Sequence, residues 1–247
     1  MALKIQLNYS LNFNLIKRSS KQIKFLIFHY TGMKKESDAI NRLTSMKSKV
    51  SSHYFIKNNG DIILMVPDLY AAWHAGRSSW KNYKFLNKYS IGIEINNPGH
   101  RFNYKKYSIK QINSILSLSK YLIKKYKIKK KNILGHSDIA PNRKKDPGEK
   151  FPWKYLASRK IGIWHTLSNK LLKKNRQIKI TLKDKKNFLK NLYQLGYSKS
   201  SFKNSNETHN IKLTVKAFQR RFRQELVNGI IDKECVIISK NLIKKYN

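Results

Sequence analysis

The sequence predicts an α/β domain followed by a small all-α unit. Segments with strand and helix patterns alternate up to about residue 170, which is the arrangement of α/β domains. Beyond residue 178 only helical patterns occur. Of the 247 residues, 40% are hydrophobic, and 14 Tyr, 11 Phe and 4 Trp add large side chains to a core. We therefore expect a folded protein rather than a disordered polycation.

The first predicted elements are a strand, a helix and a hairpin. Residues 24–31, KFLIFHYT, form a short apolar run of strand character. Residues 37–48, SDAINRLTSMKS, have a helical pattern, with Ser37 or Asp38 available as the N-cap. Residues 53–66 contain two β-rich runs around the turn sequence NNGD, which predicts a β-hairpin.

Three further elements complete the predicted α/β domain. Residues 90–97, SIGIEINN, alternate as a strand that carries three isoleucines on one face and Glu94 on the other. Residues 108–127 have apolar side chains at helical spacing, which predicts an amphipathic helix. Residues 131–136, KNILGH, predict another strand.

The composition changes after this domain. Residues 168–180 are polar and cationic, which is typical of a linker. Three helical patterns follow, at 182–197, 210–224 and 232–246. We therefore predict a domain over residues 1–170 and a three-helix unit over residues 178–247. If the two are independent, a chain ending near residue 172 should keep its chemistry.

The formal net charge of +40 raises the question of a nucleic-acid partner. Only 10 of the 53 basic residues are Arg, and Lys, Asn and Ile are abundant throughout, which suits an AT-rich genome. The basic residues are spread over every segment without a nucleic-acid-binding motif. We expect no specific nucleic-acid partner, although attraction to polyanions is expected at low salt. A dedicated polyanion binder would instead keep DNA bound at physiological salt.

Cysteine content and the N-terminal residues bear on compartment. A single cysteine, Cys235, excludes an intrachain disulfide and any CxxC motif. The first residues, MALKIQLNYSLNFNLIKRSSKQ, lack the apolar region and cleavage site of a signal peptide. No stretch reaches the length of a membrane span. We expect a cytoplasmic monomer, with the cell envelope left open as an alternative location.

Polar residues stand where predicted strands end. They are His29, Glu94 and His136, with Asp146 following His136 on a loop that contains two prolines. Two His and one Asp suit a catalytic zinc ion with one open position. A single His at a strand end is more often hydrogen-bonded in the core or at the surface, and Glu94 could belong to a solvent-exposed strand face. From chemistry alone, both interpretations stay open.

Five motifs between about residues 20 and 160 resemble a known family. They are FHYTG, VSSHYFIKNNGDI, AAWHAGRSSW, SIGIEINNPG and ILGHSDIAPNRKKDPGEKFPW. In this order they resemble type-2 N-acetylmuramoyl-L-alanine amidases of the AmiD/AmpD-like branch, which implies a mixed central sheet flanked by helices. Residues 214–234 resemble the core of a three-helix peptidoglycan-binding module.

The resemblance implies a zinc-dependent hydrolase. It implies that Zn²⁺ is held by His29, His136 and Asp146, and that Glu94 and Lys144 complete the catalytic group. The implied reaction is hydrolysis of the amide bond between N-acetylmuramic acid and L-alanine in peptidoglycan or muropeptides. The alternative is a non-catalytic peptidoglycan-binding protein, but such relatives typically lose a zinc ligand and this chain has lost none.

Histidine and tryptophan residues also occur in the other motifs. We interpret His53 and His74 as substrate-binding residues of the pocket rather than metal ligands. For Trp73, Trp80 and Trp153 the simpler interpretation is core packing, which we expect for at least one of them. The functional alternative is an aromatic wall against sugar or peptide, and we assign Trp73 to it.

Overall fold

A computed structural model describes residues 3–198 and 207–246 of the chain. It contains ten strands, namely β1 Ile5–Leu7, β2 Phe13–Asn14, β3 Phe25–Tyr30, β4 Tyr54–Ile56, β5 Ile62–Leu64, β6 Ala71–Ala72, β7 Ser79–Trp80, β8 Tyr83–Lys84, β9 Ser90–Ile95 and β10 Ile133–Gly135. Six of them form one sheet in the order β1-β5-β4-β9-β3-β10. The other four form two small ribbons, β2 with β6 and β7 with β8.

The main sheet is mixed, as the resemblance implies. Strands β4 and β5 are the antiparallel hairpin predicted around the NNGD turn. All other neighbours in this sheet are parallel, including the central pair β3 and β9. Parallel neighbours bring their carboxyl ends to the same edge of a sheet, which is where polar residues of α/β folds meet ligands.

Eight α-helices accompany the strands in the described ranges. They are α1 Glu36–Thr44, α2 Ile109–Tyr126, α3 His136–Ile139, α4 Trp153–Ser158, α5 Asn169–Asn175, α6 Leu182–Leu195, α7 Glu207–Phe222 and α8 Lys233–Tyr246. Helix α2 begins at the predicted position, and the Ser108 side chain accepts a hydrogen bond from the Gln111 N–H at 3.1 Å. Helix α1 begins earlier than predicted, because Lys35 is its N-cap. Ser37 and Asp38 therefore lie in its first turn, and their expected capping role is wrong.

The two faces of the sheet are covered by different parts of the chain. Successive side chains of β3 point to opposite faces. Leu26 and Phe28 pack into the hydrophobic cluster that contains the buried side of α2. Phe25 and Ile27 pack into a second cluster, which includes buried residues of α6, α7 and α8. The C-terminal helices therefore cover the face of the sheet opposite α2.

The segment expected to be a linker is partly helical. Helix α5 lies within residues 168–180, and its Leu172 is buried in the same cluster as the C-terminal helices. The composition of this stretch is polar, but Leu172 packs on the core and Arg176, just after α5, pairs with Glu234 at 2.8 Å. The connection between the two predicted units is therefore packed against the protein in this part.

Among residues 3–198 and 207–246, no helix has the length and apolar character needed to cross a membrane.

Candidate metal and catalytic site

Three predicted metal ligands meet at the carboxyl edge of the sheet. His29 lies near the end of β3, His136 is the first residue of α3 directly after β10, and Asp146 lies on the loop that follows. The two Nδ1 atoms are 2.9 Å apart. Asp146 Oδ2 lies 3.1 Å from His29 Nδ1 and 3.0 Å from His136 Nδ1. All three side chains are buried, and their three potential ligand atoms lie close together.

The protonation states of these residues suit a metal. Burial, reinforced by His136, lowers the pKa of His29 to about 4, so its imidazole is neutral near pH 7. Burial opposes ionisation of Asp146, but the imidazoles of His136 and His29 outweigh it and hold the pKa of the carboxyl below its ordinary value. Neutral imidazole and ionised carboxylate are the forms that bind metal ions.

The spacing of the three atoms is also that of a metal site. If both Nδ1 atoms donated to the shared carboxylate oxygen, their N–H groups would meet at a separation of 2.9 Å. A cation between the three atoms removes this conflict. Bonds of about 2.0–2.1 Å in a tetrahedral site place ligand atoms about 3.3 Å apart, close to the separations of this cluster. The residues therefore fit a small, tetrahedrally coordinated divalent metal.

The outer nitrogens of both histidines have hydrogen-bond partners. His29 Nε2 lies 2.9 Å from His74 Nδ1, and His74 Nε2 lies 3.1 Å from the Ser90 hydroxyl. His136 Nε2 lies 3.2 Å from the Ala75 carbonyl oxygen. With Nε2–H donating outward in both histidines, each Nδ1 lone pair points into the cluster. Such partners fix the tautomer and orientation of metal-binding histidines.

Glu94 stands beside the cluster. It pairs with His29 in the register of β9 and β3. Its side chain lines a cavity that His136 and Asp146 also line. Its Oε2 atom is buried without a hydrogen-bond partner in the described part of the chain. Burial, reinforced by Asp146 and opposed by Lys144, raises the pKa of the Glu94 carboxyl to about 8. A free carboxyl with a pKa near neutrality is suited to proton transfer.

Lys144 also lines the cavity. Its positive charge acts on the pKa of both His29 and Glu94, which places it at the site. The backbone holds this loop in place: Lys144 N–H donates to the Ala140 carbonyl at 3.0 Å, and Ser137 N–H donates to the Asp146 carbonyl at 2.8 Å. The Asp146–Pro147 peptide bond is cis. The structure therefore brings all five predicted metal and catalytic residues together.

The site opens into a cavity of about 720 Å³. Several of its lining side chains are aromatic or basic and were missed at the level of sequence, namely Tyr30, Arg42, His100, Arg101, Phe102, Arg143 and Lys145. His100 to Phe102 directly follow the NNPG turn at the carboxyl end of β9. Their position after a strand that carries Glu94 was a usable signal, since loops at this edge of a sheet surround the site.

The predicted substrate-binding residues have different surroundings. Trp73 is half-buried in the cavity wall, and its Nε1–H donates to Asn14 Oδ1 at 2.7 Å. His74 reaches the cavity, but its two ring nitrogens face His29 and Ser90. His74 therefore supports a predicted metal ligand as well as lining the pocket.

His53 does not reach the cavity. Its side chain is fully buried, its Nδ1 accepts from the Gly92 N–H at 3.0 Å, and its Nε2 lies 3.0 Å from the Tyr70 carbonyl oxygen. The structure therefore does not bring His53 to the cavity wall, and its assignment to substrate binding stays a prediction. Its role is to hold the backbone near the site.

The other two tryptophans follow the simpler interpretation. Trp80 packs against Tyr197 with ring centroids 4.9 Å apart, and Trp153 packs against Phe28 and Phe151. Each is 2% exposed. Both belong to the core.

Comparison with known proteins agrees with this geometry. A family model described as N-acetylmuramoyl-L-alanine amidase matches residues 19–149. The N-acetylmuramoyl-L-alanine amidase AmiD of Escherichia coli is 35% identical over 238 residues, which are 91% of this chain and 84% of the relative. The 1,6-anhydro-N-acetylmuramyl-L-alanine amidase AmpD of E. coli is 38% identical over 105 residues, which are 42% of this chain and 55% of the relative.

A solved structure extends the likeness to three dimensions. It is the complex of E. coli AmiD with the substrate anhydro-N-acetylmuramic acid-L-Ala-D-γ-Glu-L-Lys. The match has a TM-score of 0.80 at 32% identity and covers 94% of this chain and 93% of that chain. The similarity therefore includes the C-terminal helices as well as the sheet.

Proposed function

Because the chain belongs to the N-acetylmuramoyl-L-alanine amidase family and hydrolyses the amide bond between N-acetylmuramic acid and L-alanine, we propose that it does so with a zinc ion held by His29, His136 and Asp146. The observation that supports zinc most directly is the convergence of two Nδ1 atoms and one carboxylate oxygen within 3.1 Å of one another. When bound, zinc supplies a Lewis acid that lowers the pKa of water and polarises a carbonyl oxygen.

Glu94 is the proposed general base. Its Oε2 atom is buried without a hydrogen-bond partner in the described residues, and its side chain lines the same cavity as His136 and Asp146. It takes the proton of the attacking water and then delivers that proton to the amine of L-alanine as the amide bond breaks. Only the ionised carboxyl can accept that proton.

Lys144 is proposed to stabilise charge on the substrate. Amide hydrolysis develops an oxyanion at the carbonyl oxygen, and a fixed positive charge close to that oxygen lowers the barrier. Lys144 lines the same cavity as His136 and Asp146, and it lies two residues before Asp146 in the chain. The ammonium group also balances the negative charge that Glu94 carries when ionised.

The cavity wall suits an anionic muropeptide. Besides Lys144, it carries the basic side chains of Arg42, Arg101, Arg143 and Lys145. A peptide stem with free carboxylates is attracted by such a wall. The relative AmiD binds an anhydro-muropeptide in its solved complex, and we infer that this chain accepts substrates of the same class.

The last three helices are proposed to form a three-helix, peptidoglycan-binding-like unit over residues 178–247. The resemblance of residues 214–234 to such a module supports the proposal. A unit of this kind would raise the concentration of wall substrate near the site. Its test is retention of the protein on insoluble peptidoglycan at high salt, because a +40 protein also sticks to an anionic wall through charge alone.

Product analysis tests the function. Purified protein should release L-alanyl peptides from a defined muropeptide, as identified by mass, and a chelator should stop the release until zinc is returned. The matched control is Glu94→Gln, which should keep zinc and lose turnover. A protein that binds muropeptides without cleaving them, with zinc present, would favour the non-catalytic alternative.

A further inference from the structure

We propose that Arg221 of α7 is a positioning residue for the metal ligand His136, so that the C-terminal helices hold the metal-binding segment as well as covering the sheet. The proposal rests on the metal role of His136 proposed above. It is carried by contacts that join α7 to both sides of His136 and by a second contact beyond Asp146.

Arg221 makes two strong contacts with the segment around His136. Its Nη1 donates to Asp138 Oδ2 at 2.8 Å, and its Nη2 donates to the Ile133 carbonyl at 2.7 Å. Ile133 opens β10, and Asp138 lies in α3, so these two contacts bracket His136 in the chain. The guanidinium also lies 4.8 Å from the ring centroid of Trp153. Arg221 is only 2% exposed, so these contacts are shielded from water.

Asp138 passes this restraint to the residue next to His136. Its Oδ2 also accepts the Gly135 N–H at 2.8 Å, and its Oδ1 accepts the Tyr197 hydroxyl at 2.7 Å. The carboxylate is 1% exposed. Removal of Arg221 would leave a buried charge with two neutral donors and a buried carbonyl without its partner, and both defects are costly. The turn that carries His136 would move to reduce this cost.

A second contact holds the other end of the same segment. The Gln224 side chain, just after α7, donates to the Glu149 carbonyl at 2.6 Å and to the Phe151 carbonyl at 2.7 Å. These residues follow Asp146 closely in the chain. The stretch from β10 to Phe151, which contains two of the three proposed ligands, is therefore fixed at both ends by residues of the C-terminal part.

Arg223 provides a matched control. It is also buried, at 3% exposure, and forms an ion pair with Asp232. Its side-chain hydrogen bonds go to Leu226, Asn228 and Asp232, all of them within the C-terminal part. Replacing Arg223 disturbs the helices without touching the metal-binding segment, whereas replacing Arg221 does both.

The experiment measures zinc affinity in the full-length protein. Zinc is removed with a chelator, and its dissociation constant is measured by competition with a chromophoric chelator at a temperature where circular dichroism shows each variant folded. Arg221→Met should weaken zinc binding about 10- to 100-fold, the usual effect of losing a residue that orients a metal ligand. Arg221→Lys should restore part of the affinity, since Lys keeps the charge but not the paired donors. Arg223→Met should lower the unfolding temperature and leave zinc affinity within about twofold of wild type.

Equal zinc affinities for Arg221→Met and wild type would overturn the proposal. If Arg221→Met does not fold, Arg221→Lys takes its place, and wild-type zinc affinity in that variant overturns the proposal instead. The proposed metal role fails in a different way, because zinc affinity would then be the same in wild type and in His136→Ala. The two failures are therefore distinguishable.

Discussion

Replacing Glu94 by Gln in the metal-free protein should make its free energy of unfolding less dependent on pH. Burial raises the pKa of the folded carboxyl from 4.5 to about 8, whereas the unfolded chain keeps the ordinary value. The folded protein therefore binds this proton more tightly. The resulting stabilisation is complete below the unfolded pKa and is lost as pH rises through the folded one.

The size of this lost stabilisation follows from the difference between the folded and unfolded pKa values of Glu94. Between about pH 5.5 and about pH 8.5, wild type should lose about 3 kcal/mol, at about 1.4 kcal/mol for each pH unit in which only the unfolded carboxyl is ionised. Glutamine has nearly the same shape and does not titrate, so the variant lacks this loss. The Glu94→Gln protein should thus gain about 3 kcal/mol on wild type between the two pH values.

Urea unfolding of both metal-free proteins at the two pH values measures this gain. The change in unfolding free energy between the two pH values is compared for the two proteins. Contributions from titrating groups that the substitution leaves alone therefore cancel. A constant gap between the two proteins at both pH values would refute the argument, because Glu94 would then titrate near its ordinary pKa. The same variant, loaded with zinc, should have lost most of its turnover.

Four further outcomes are expected. His136→Ala should lose the single zinc ion per chain along with hydrolysis, as measured by metal analysis, and full zinc occupancy would contradict the ligand assignment. Lys144→Ala should keep zinc and lose about 10²–10³ in rate, the usual cost of removing one oxyanion donor. Gly92→Ala should lower zinc retention, because its Cβ would lie 2.4 Å from His74 Cγ and displace that ring; a wild-type zinc content would show that the ring relaxes freely. A chain ending at residue 172 should be insoluble, or inactive even towards soluble muropeptides, because one face of the sheet is then uncovered. A soluble and active product would show that the two units are independent.

Periodicity in the sequence was enough to predict the elements with long repeating patterns. The hairpin, β3, β9 and α2 lie where alternation or helical spacing placed them. The two-residue strands and β1 carry no such pattern. Ile5–Leu7, for example, is a strand because it pairs with β5, and that pairing depends on residues more than fifty positions away. Local sequence contains no trace of it.

In the site, too, residues in local motifs could be predicted from the sequence, whereas a residue that acts through a distant contact could not. His29, Glu94, His136 and Asp146 were found because each ends a strand or lies in a recognisable motif. Arg221 was not found, because it contacts Asp138 from 83 residues away. Basic residues are so common in this chain that another arginine in a cationic helix gives no signal of its own.

The position of α7 on the sheet sets an order of events during synthesis. Translation delivers β10, His136 and Asp146 well before Arg221, which reaches back 88 residues to Ile133. Until α5 to α8 have been made, Phe25, Ile27 and Leu134 on that face of the sheet lack the helical side chains of their cluster. A ribosome-bound chain that has made only its amidase part therefore presents an open apolar surface to chaperones. The segment that carries His136 and Asp146 gains its contacts with Arg221 and Gln224 only after α7 has been made.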